Sequence, residues 1–237
     1  MEIMEKIEKA MQETMKTINA IIDDPNTSGN EKIEIITSMV SISEGNRKTG
    51  KFPSVSLLPL ITCNLNRCKG TCGERCYAVK LCRIYPTVLE AYARNTAIFK
   101  LYPVAYWNAI DKAMQRADTF RFHISGDIPN TEYMNMVHYF CKKHSHCKTL
   151  MFTKQYEIVN RYLSENKKPE NLQIMFSGWT NLKPINPYNL PETTVYEKDT
   201  DFNPKWTPCT GNCLSCRRSC SGCFNAKNGE TVAFKIH

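Results

Sequence analysis

Two short stretches hold nine of the chain's twelve cysteines, and that crowding constrains the chain more than any other feature. Cys63, Cys68, Cys72 and Cys76 fall within fourteen residues, and Cys209, Cys213, Cys216, Cys220 and Cys223 within fifteen. Cys82, Cys141 and Cys147 are scattered. Over 237 residues this density is below that of small disulfide-stapled scaffolds, and a chain this long buries a core without staples. Nine thiols held close together in a reducing cytosol are an oxidation hazard unless something binds them. Metal binding is therefore expected at both clusters.

Thiolates select zinc or iron–sulfur among cellular metals. Structural zinc usually joins two short cysteine pairs by a long excursion, so that two knuckles close a tetrahedron. Here Cys213/Cys216 and Cys220/Cys223 are separated by three residues, with Cys209 just upstream. The first cluster, Cys-x4-Cys-x3-Cys-x3-Cys, also lacks an excursion. Compact runs of this kind look like the ligand loops of ferredoxins. An iron–sulfur cluster of the [4Fe–4S] type is expected at each site, with zinc as the alternative metal.

Residues 1–24 read as one amphipathic helix, with Met4, Ile7, Met11, Ile18 and Ile21 at three- and four-residue steps. It either packs on its own domain or offers a face to a partner. DDPNTSGN (23–30) is a turn-forming break, and a second helix is expected over 31–42. SVSLLPLIT (54–62) is a β-like run ending at Cys63. A helical stretch over about 83–117 is broken at Pro103, and strands are expected at 119–125, 149–154, 171–177, 193–198 and 231–237. Helices at 130–143 and 155–166 alternate with them. This order implies βαβ units and an α/β fold with a parallel sheet, open or curled into a partial (β/α) barrel. The expected organisation is an N-terminal helical extension (1–42), a β/α domain with the first cysteine cluster (43–200), and a cysteine-rich C-terminal segment completing it (201–237).

Parallel α/β folds gather ligands at the C-terminal ends of their strands. The first strand ends at the cysteine loop, the second at Ser125-Gly126-Asp127, and later ones near Thr153-Lys154 and Ser177-Gly178-Trp179. Asp127 is a candidate catalytic or cofactor-contacting acid, or a helix cap. Strand alternation puts Arg121, His123 and Ser125 on one face, where His123 is a candidate catalytic residue or a buried, satisfied histidine. Lys154 at a strand end is a candidate catalytic residue, a cation that would hold a carboxylate or phosphate, or else a solvated loop lysine. His138, Cys141, His144, His146 and Cys147 form a weaker third candidate for metal binding. Trp179 and Trp206 flank a loop rich in Pro and Asn, where they would stack on a planar group or simply pack.

A cysteine loop after the first strand and an acidic Gly-containing turn after the second resemble the radical S-adenosylmethionine enzymes. That resemblance implies a partial barrel, a [4Fe–4S] cluster on three cysteines, S-adenosylmethionine as cofactor, and contact from the Ser125-Gly126-Asp127 turn to its amino group. Cys63, Cys72 and Cys76, with Cys68 as competitor, would hold the catalytic cluster, and the C-terminal cysteines an auxiliary one. Cys68-x3-Cys72-x3-Cys76 is one residue longer than that family's spacing, and Ser-Gly-Asp replaces its Gly-Gly-Glu. A closer resemblance is carried by SEGNRKTGKFPSVSLLPLITC…CYA, YPTVLEAYARN, FRFHISGD and a C-terminal Cys-x2-Cys segment ending in IH. Together these are similar to the phage gene product 88 family over roughly 43–237, which implies a protein of phages and mobile elements.

The formal charge of +8, from 31 Lys and Arg against 23 Asp and Glu, has two readings. Arg47, Lys48, Lys51, Arg67, Lys69, Arg75, Lys80 and Arg83 lie near the first cysteine loop, and Arg217 and Arg218 lie within the second. They would either bind nucleic-acid phosphates or offset anionic metal centres. No run approaches the ~20 apolar residues of a membrane span, and MEIMEKIEKAMQETM lacks the features of a signal peptide. A cytoplasmic iron–sulfur protein acting on an unknown substrate is expected. The alternative is a non-enzymatic metalloprotein that binds nucleic acid or senses redox state.

Overall fold

The computed structural model describes residues 3–45, 50–68, 71–213, 216 and 222–236, with only the backbone of Leu65 and Arg67. The sheet is built from β1 (Ile42–Ser43), β2 (Ser54–Val55), β3 (Thr119–Phe122), β4 (Lys148–Thr153), β5 (Leu172–Ser177), β6 (Glu192–Tyr196), β7 (Thr207–Pro208) and β8 (Thr231–Lys235). Their order is β1-β2-β3-β4-β5-β6-β8-β7, and every neighbour pair is parallel except β1 with β2. The expected α/β class and mostly parallel sheet are present. The ladder runs from β1 to β7, and no pairing among the described residues joins these two edges.

Alternation along the strands separates the two faces. Phe120, Phe122, Met151, Leu172, Ile174 and Phe176 turn to one side and pack with Ala97, Ile110, Tyr133, Val137, Tyr156 and Val159 of the helices. Leu150, Met175 and Val232 turn to the other, where Phe52, Cys223, Phe224 and Ala226 cover them. Helices α5 (Pro86–Leu101) and α6 (Pro103–Gln115) connect β2 to β3, α7 (Thr131–Lys143) connects β3 to β4, and α8 (Tyr156–Glu165) connects β4 to β5. Strands added in one direction by crossovers of one hand put their helices on one face. The opposite face is left to the C-terminal segment.

Two sequence expectations are corrected in detail. The run 54–62 is a strand only at Ser54–Val55, although backbone pairing extends beyond it through His123 N–H to the Val55 carbonyl and Leu57 N–H to the Ser125 carbonyl. The stretch 83–117 breaks at Pro86 as well as at Pro103. Each proline occupies the first turn of a helix, and Tyr85 before Pro86 is held extended (φ −118°, ψ 101°). Two short helices, α3 (Leu65–Cys68) and α4 (Tyr77–Ile84), add to the first cysteine loop.

Helices α1 (Ile3–Asp23) and α2 (Gly29–Met39) precede the sheet. A reciprocal cap starts α2: Ser28 Oγ accepts from Glu31 N–H, and Glu31 accepts from Ser28 N–H. The apolar face of α1 is covered by its own chain. Ile3 and Ile7 pack with Leu58, Val79, Leu89 and Ala93, while Ile18 joins the main core. Among the described residues, no helix is long and apolar enough to cross a membrane. Ile7 is fully buried, so Ile7→Ala is expected to cost about 2–4 kcal/mol in urea unfolding. Ile35→Ala, at a position 43% exposed, is expected to stay within about 0.5 kcal/mol.

Candidate functional site

The C-terminal ends of β2 to β5 and the segment between β7 and β8 meet at one cavity of about 370 Å³. The loop after β2 contributes Cys63, Cys68, Cys72 and Cys76, and the C-terminal segment contributes Cys209, Cys213, Cys216 and Cys223. His123, Ser125, Gly126, Asp127 and Lys154 line the same space. The described cysteines of both clusters and the strand-end candidates His123, Ser125, Gly126, Asp127 and Lys154 therefore border one cavity. Cys220, Arg217, Arg218, Arg47, Lys48, Lys69 and His237 lie outside the described residues.

The first cysteine loop is wound tightly by its backbone. Cys68 N–H donates to the Asn64 carbonyl, and the Cys68 carbonyl accepts from Thr71 and Gly73 N–H. A Cβ on Gly73 would lie 2.6 Å from that carbonyl oxygen, so a side chain there would open the loop. Cys76 stands at the N-cap position of α4 without a side-chain cap bond, and burial pushes its pKa up, against the nearby Val79 and Ala78 N–H groups that favour the thiolate. The Cys72 thiol donates to Cys68 Sγ at 3.8 Å. The contact with Cys63 pushes Cys68 up to about 11, and the bond to Cys68, followed by burial, raises Cys72 further. The Lys154 cation acts in the opposite direction on Cys68, Cys72 and Cys76.

The C-terminal cysteines sit in an apolar shell. Cys209, Cys213 and Cys223 pack with Phe152, Met175, Phe224 and Phe234. Cys209 N–H donates to the Ala233 carbonyl of β8, which fixes the segment to the sheet. Burial, then the neighbouring Cys209 and Cys216, push Cys223 up to about 12, with Arg121 opposing. Soft thiols from both segments suit zinc or iron–sulfur chemically. Among the described residues, no three Cys, His or acidic side chains are grouped as a single ion would need. Cys82, Cys141 and Cys147 are buried away from the cavity.

Asp127 is only 6% exposed and both its oxygens are engaged. Oδ1 accepts from Thr153 Oγ1 at 2.6 Å and from Ile128 N–H at 2.8 Å, while Oδ2 accepts from Lys154 N–H at 2.8 Å. Burial raises its pKa, against those hydrogen bonds and the Lys154 charge. Its backbone N–H donates to Thr62 Oγ1 at 3.1 Å, beside Cys63. The helix cap is Asn130, whose Oδ1 accepts from Tyr133 N–H. Lys154 Nζ donates to Ser177 Oγ at 2.7 Å, so it is an interior cation linking two strand ends.

His123 is 3% exposed and has a left-handed backbone (φ 58°), a strained conformation for a residue with a side chain. Its Nε2 pairs with the Tyr133 hydroxyl at 3.0 Å, and Tyr133 pairs with Tyr106 at 2.7 Å. Among the described residues, Nδ1 has no partner, and neither do Arg121 Nε nor Ser125 Oγ. Both sequence readings of this strand are partly realised: the histidine is tied to the helix layer on one side and lines the cavity on the other. Burial, then Arg121, lowers its pKa to about 3.

The weaker third cluster is taken up by other contacts. His144 pairs with Asp111 at 2.6 Å, His138 with Tyr162, and the Asn171 amide donates to the carbonyls of Cys141, His144 and Cys147. Trp179 reaches the cavity, whereas Trp206 packs edge-on against Phe202. Arg121 and Tyr77 line the cavity although neither stood among the sequence candidates for catalysis or ligation. Strand alternation marked Arg121; nothing local marks Tyr77, whose hydroxyl donates to the Ile124 carbonyl.

The fold and site define an α/β protein with a cysteine-lined cavity at the strand ends. A family model described as gene product 88 matches residues 23–184, more than half of the chain, and the chain belongs to that family. The match begins before the motifs that carry the sequence resemblance and ends ahead of the second cysteine cluster. No curated protein and no solved structure matches.

Two measurements follow from this geometry. Asp127→Asn replaces an acceptor of three hydrogen bonds with a group that presents donors, and it is expected to lose about 1–3 kcal/mol in denaturant unfolding. His123 binds its proton more weakly folded than unfolded, so between about pH 3 and its ordinary value the unfolded chain holds more protons. Its contribution to stability is therefore intact above about pH 6.5 and falls as pH drops through that window. The His123 ring is expected to show no titration in NMR spectra between pH 5 and 8.

Proposed function

We propose that the chain is an iron–sulfur protein whose cavity holds [4Fe–4S] chemistry on cysteines from both segments, and that it is an enzyme acting on a substrate in that same cavity. One observation carries this reading: eight cysteines from segments more than 130 residues apart line a single space at the ends of parallel strands. Such a cluster, when bound, would supply one electron and an iron position open to the amino and carboxyl groups of S-adenosylmethionine. Cys63, Cys68, Cys72 and Cys76 are the ligands proposed for the catalytic side, and the C-terminal cysteines for an auxiliary one. Lys154 would offset negative charge near the first set. Asp127, with its carboxylate occupied, would shape the Ser125-Gly126-Asp127 turn rather than meet an ammonium group. A curled sheet enclosing the cavity, and occurrence in phages or mobile elements, belong to the same proposal.

The Cys68–Cys72 contact favours a second reading. A zinc–sulfur bond of about 2.3 Å implies a tetrahedral edge of about 3.8 Å, which matches their separation of 3.8 Å. Structural zinc would go with the non-enzymatic alternatives, nucleic-acid binding or redox sensing. Anaerobic purification with iron, sulfide and zinc quantification separates the two. Brown protein with about four irons and four sulfides per cluster is expected, lost in part in Cys72→Ser and in Cys223→Ser. Reductant plus S-adenosylmethionine is expected to release 5′-deoxyadenosine. Colourless protein with stoichiometric zinc would sink the iron–sulfur reading, and a steep salt dependence of DNA binding would favour the nucleic-acid one.

A further inference from the structure

The inner wall of the cavity carries three polar groups that the fold leaves unused. Arg121 Nε, His123 Nδ1 and Ser125 Oγ are buried and have no partner among the described residues, and all three residues line the cavity. His123 and Ser125 are each 3% exposed. Buried polar groups without partners are costly, and a cavity wall that keeps three of them is suited to a ligand that completes their bonds.

The buried tyrosines decide what His123 offers. The Tyr106 hydroxyl pairs only with Tyr133 among the described residues, and Tyr133 pairs with His123 Nε2. If Nε2 donated, Tyr133 would turn its hydrogen to Tyr106, and the Tyr106 hydrogen would be left without an acceptor. If Tyr106 donates to Tyr133 and Tyr133 donates to Nε2, both hydroxyl hydrogens are used, and the one left over is the imidazole's own, at the cavity side of the ring. The second arrangement puts the imidazole proton on Nδ1, the atom on the other side of the ring from α7. The wall then presents an Arg N–H, a neutral His N–H and a Ser hydroxyl. The Arg121 guanidinium is also held 4.7 Å from the centre of the Phe152 ring, which fixes its plane. One full charge with two neutral donors matches a monoanion. Leu150, Val195, Phe224 and Phe234 supply apolar walls around it.

We propose that Arg121, His123 and Ser125 form a carboxylate subsite, and that the substrate is a monocarboxylate with an apolar or aromatic body. This deepens the proposed function, because it takes the cavity as a substrate chamber, but it does not depend on which metal the thiols hold. The probes are phenylacetate, phenylacetamide and phenyl phosphate, titrated calorimetrically into anaerobically purified full-length protein whose iron content is measured on the same sample. Phenylacetate is expected to bind at least about tenfold more tightly than the amide or the phosphate. Arg121→Gln is expected to remove that preference while leaving amide binding unchanged, and Ser125→Ala to weaken it, with both variants unfolding at wild-type temperature. Equal binding of acid and amide, preference for the phosphate, or a preference that survives Arg121→Gln would overturn the subsite. Carboxylate preference in protein that holds no iron would uphold the subsite and remove the cluster, so the two proposals fail separately.

Discussion

The Asp127 carboxylate is the joint on which the site depends. It accepts from Thr153 and from the Lys154 backbone at the end of β4, while its own N–H reaches Thr62, the residue before Cys63. Thr62 Oγ1 in turn donates to the Leu58 carbonyl. One acid thus ties the ends of two strands to the start of the first cysteine loop. Gly126 makes the approach feasible: with φ 78°, a Cβ there would lie 2.6 Å from Thr62 Oγ1 and 2.9 Å from Leu57. Without that contact the cysteine loop would lose its reference to the sheet.

The second half of the site depends on a longer connection. After β6 the chain crosses to β7 and returns through the C-terminal cysteines to β8, which pairs between β6 and β7. That route lays Cys209, Cys213 and Cys223 on the sheet face that carries Leu150, Phe152 and Met175. The helix-covered face is closed by a large apolar core, so the thiols could gather only on the opposite side. Gly222 permits the close return, since a Cβ there would collide with Cys216 Sγ.

Much of the scaffold was legible in the sequence because it is local. Alternation in TFRF, TLMFT and LQIMF marks strands with two distinct faces, and the residues after them mark the ligand edge. The break before Pro86 was missed because YPTVLEAYARN keeps helical periodicity across it. The meeting of the two cysteine clusters was not legible, because it rests on strand order rather than on either cluster's spacing. Nor was the left-handed backbone at His123, where burial and the bond from Nε2 to Tyr133 accompany an unfavourable φ.

The excess of basic residues looks different once the interior is considered. Arg121 and Lys154 are cations lining a cavity that also holds eight thiols, of which burial and neighbouring thiols hold Cys68, Cys72, Cys76 and Cys223 above the ordinary value. A cation held near neutral thiols gains little, whereas one beside thiolates or a carboxylate gains charge-assisted bonds. Binding a metal converts those thiols to thiolates and releases their protons, so affinity for it rises with pH. Lys154 acts on the first cysteine set, and Arg121 acts on both Cys223 and His123. A metal–thiolate centre or a bound carboxylate, as proposed for this cavity, would balance these two cations without nucleic acid.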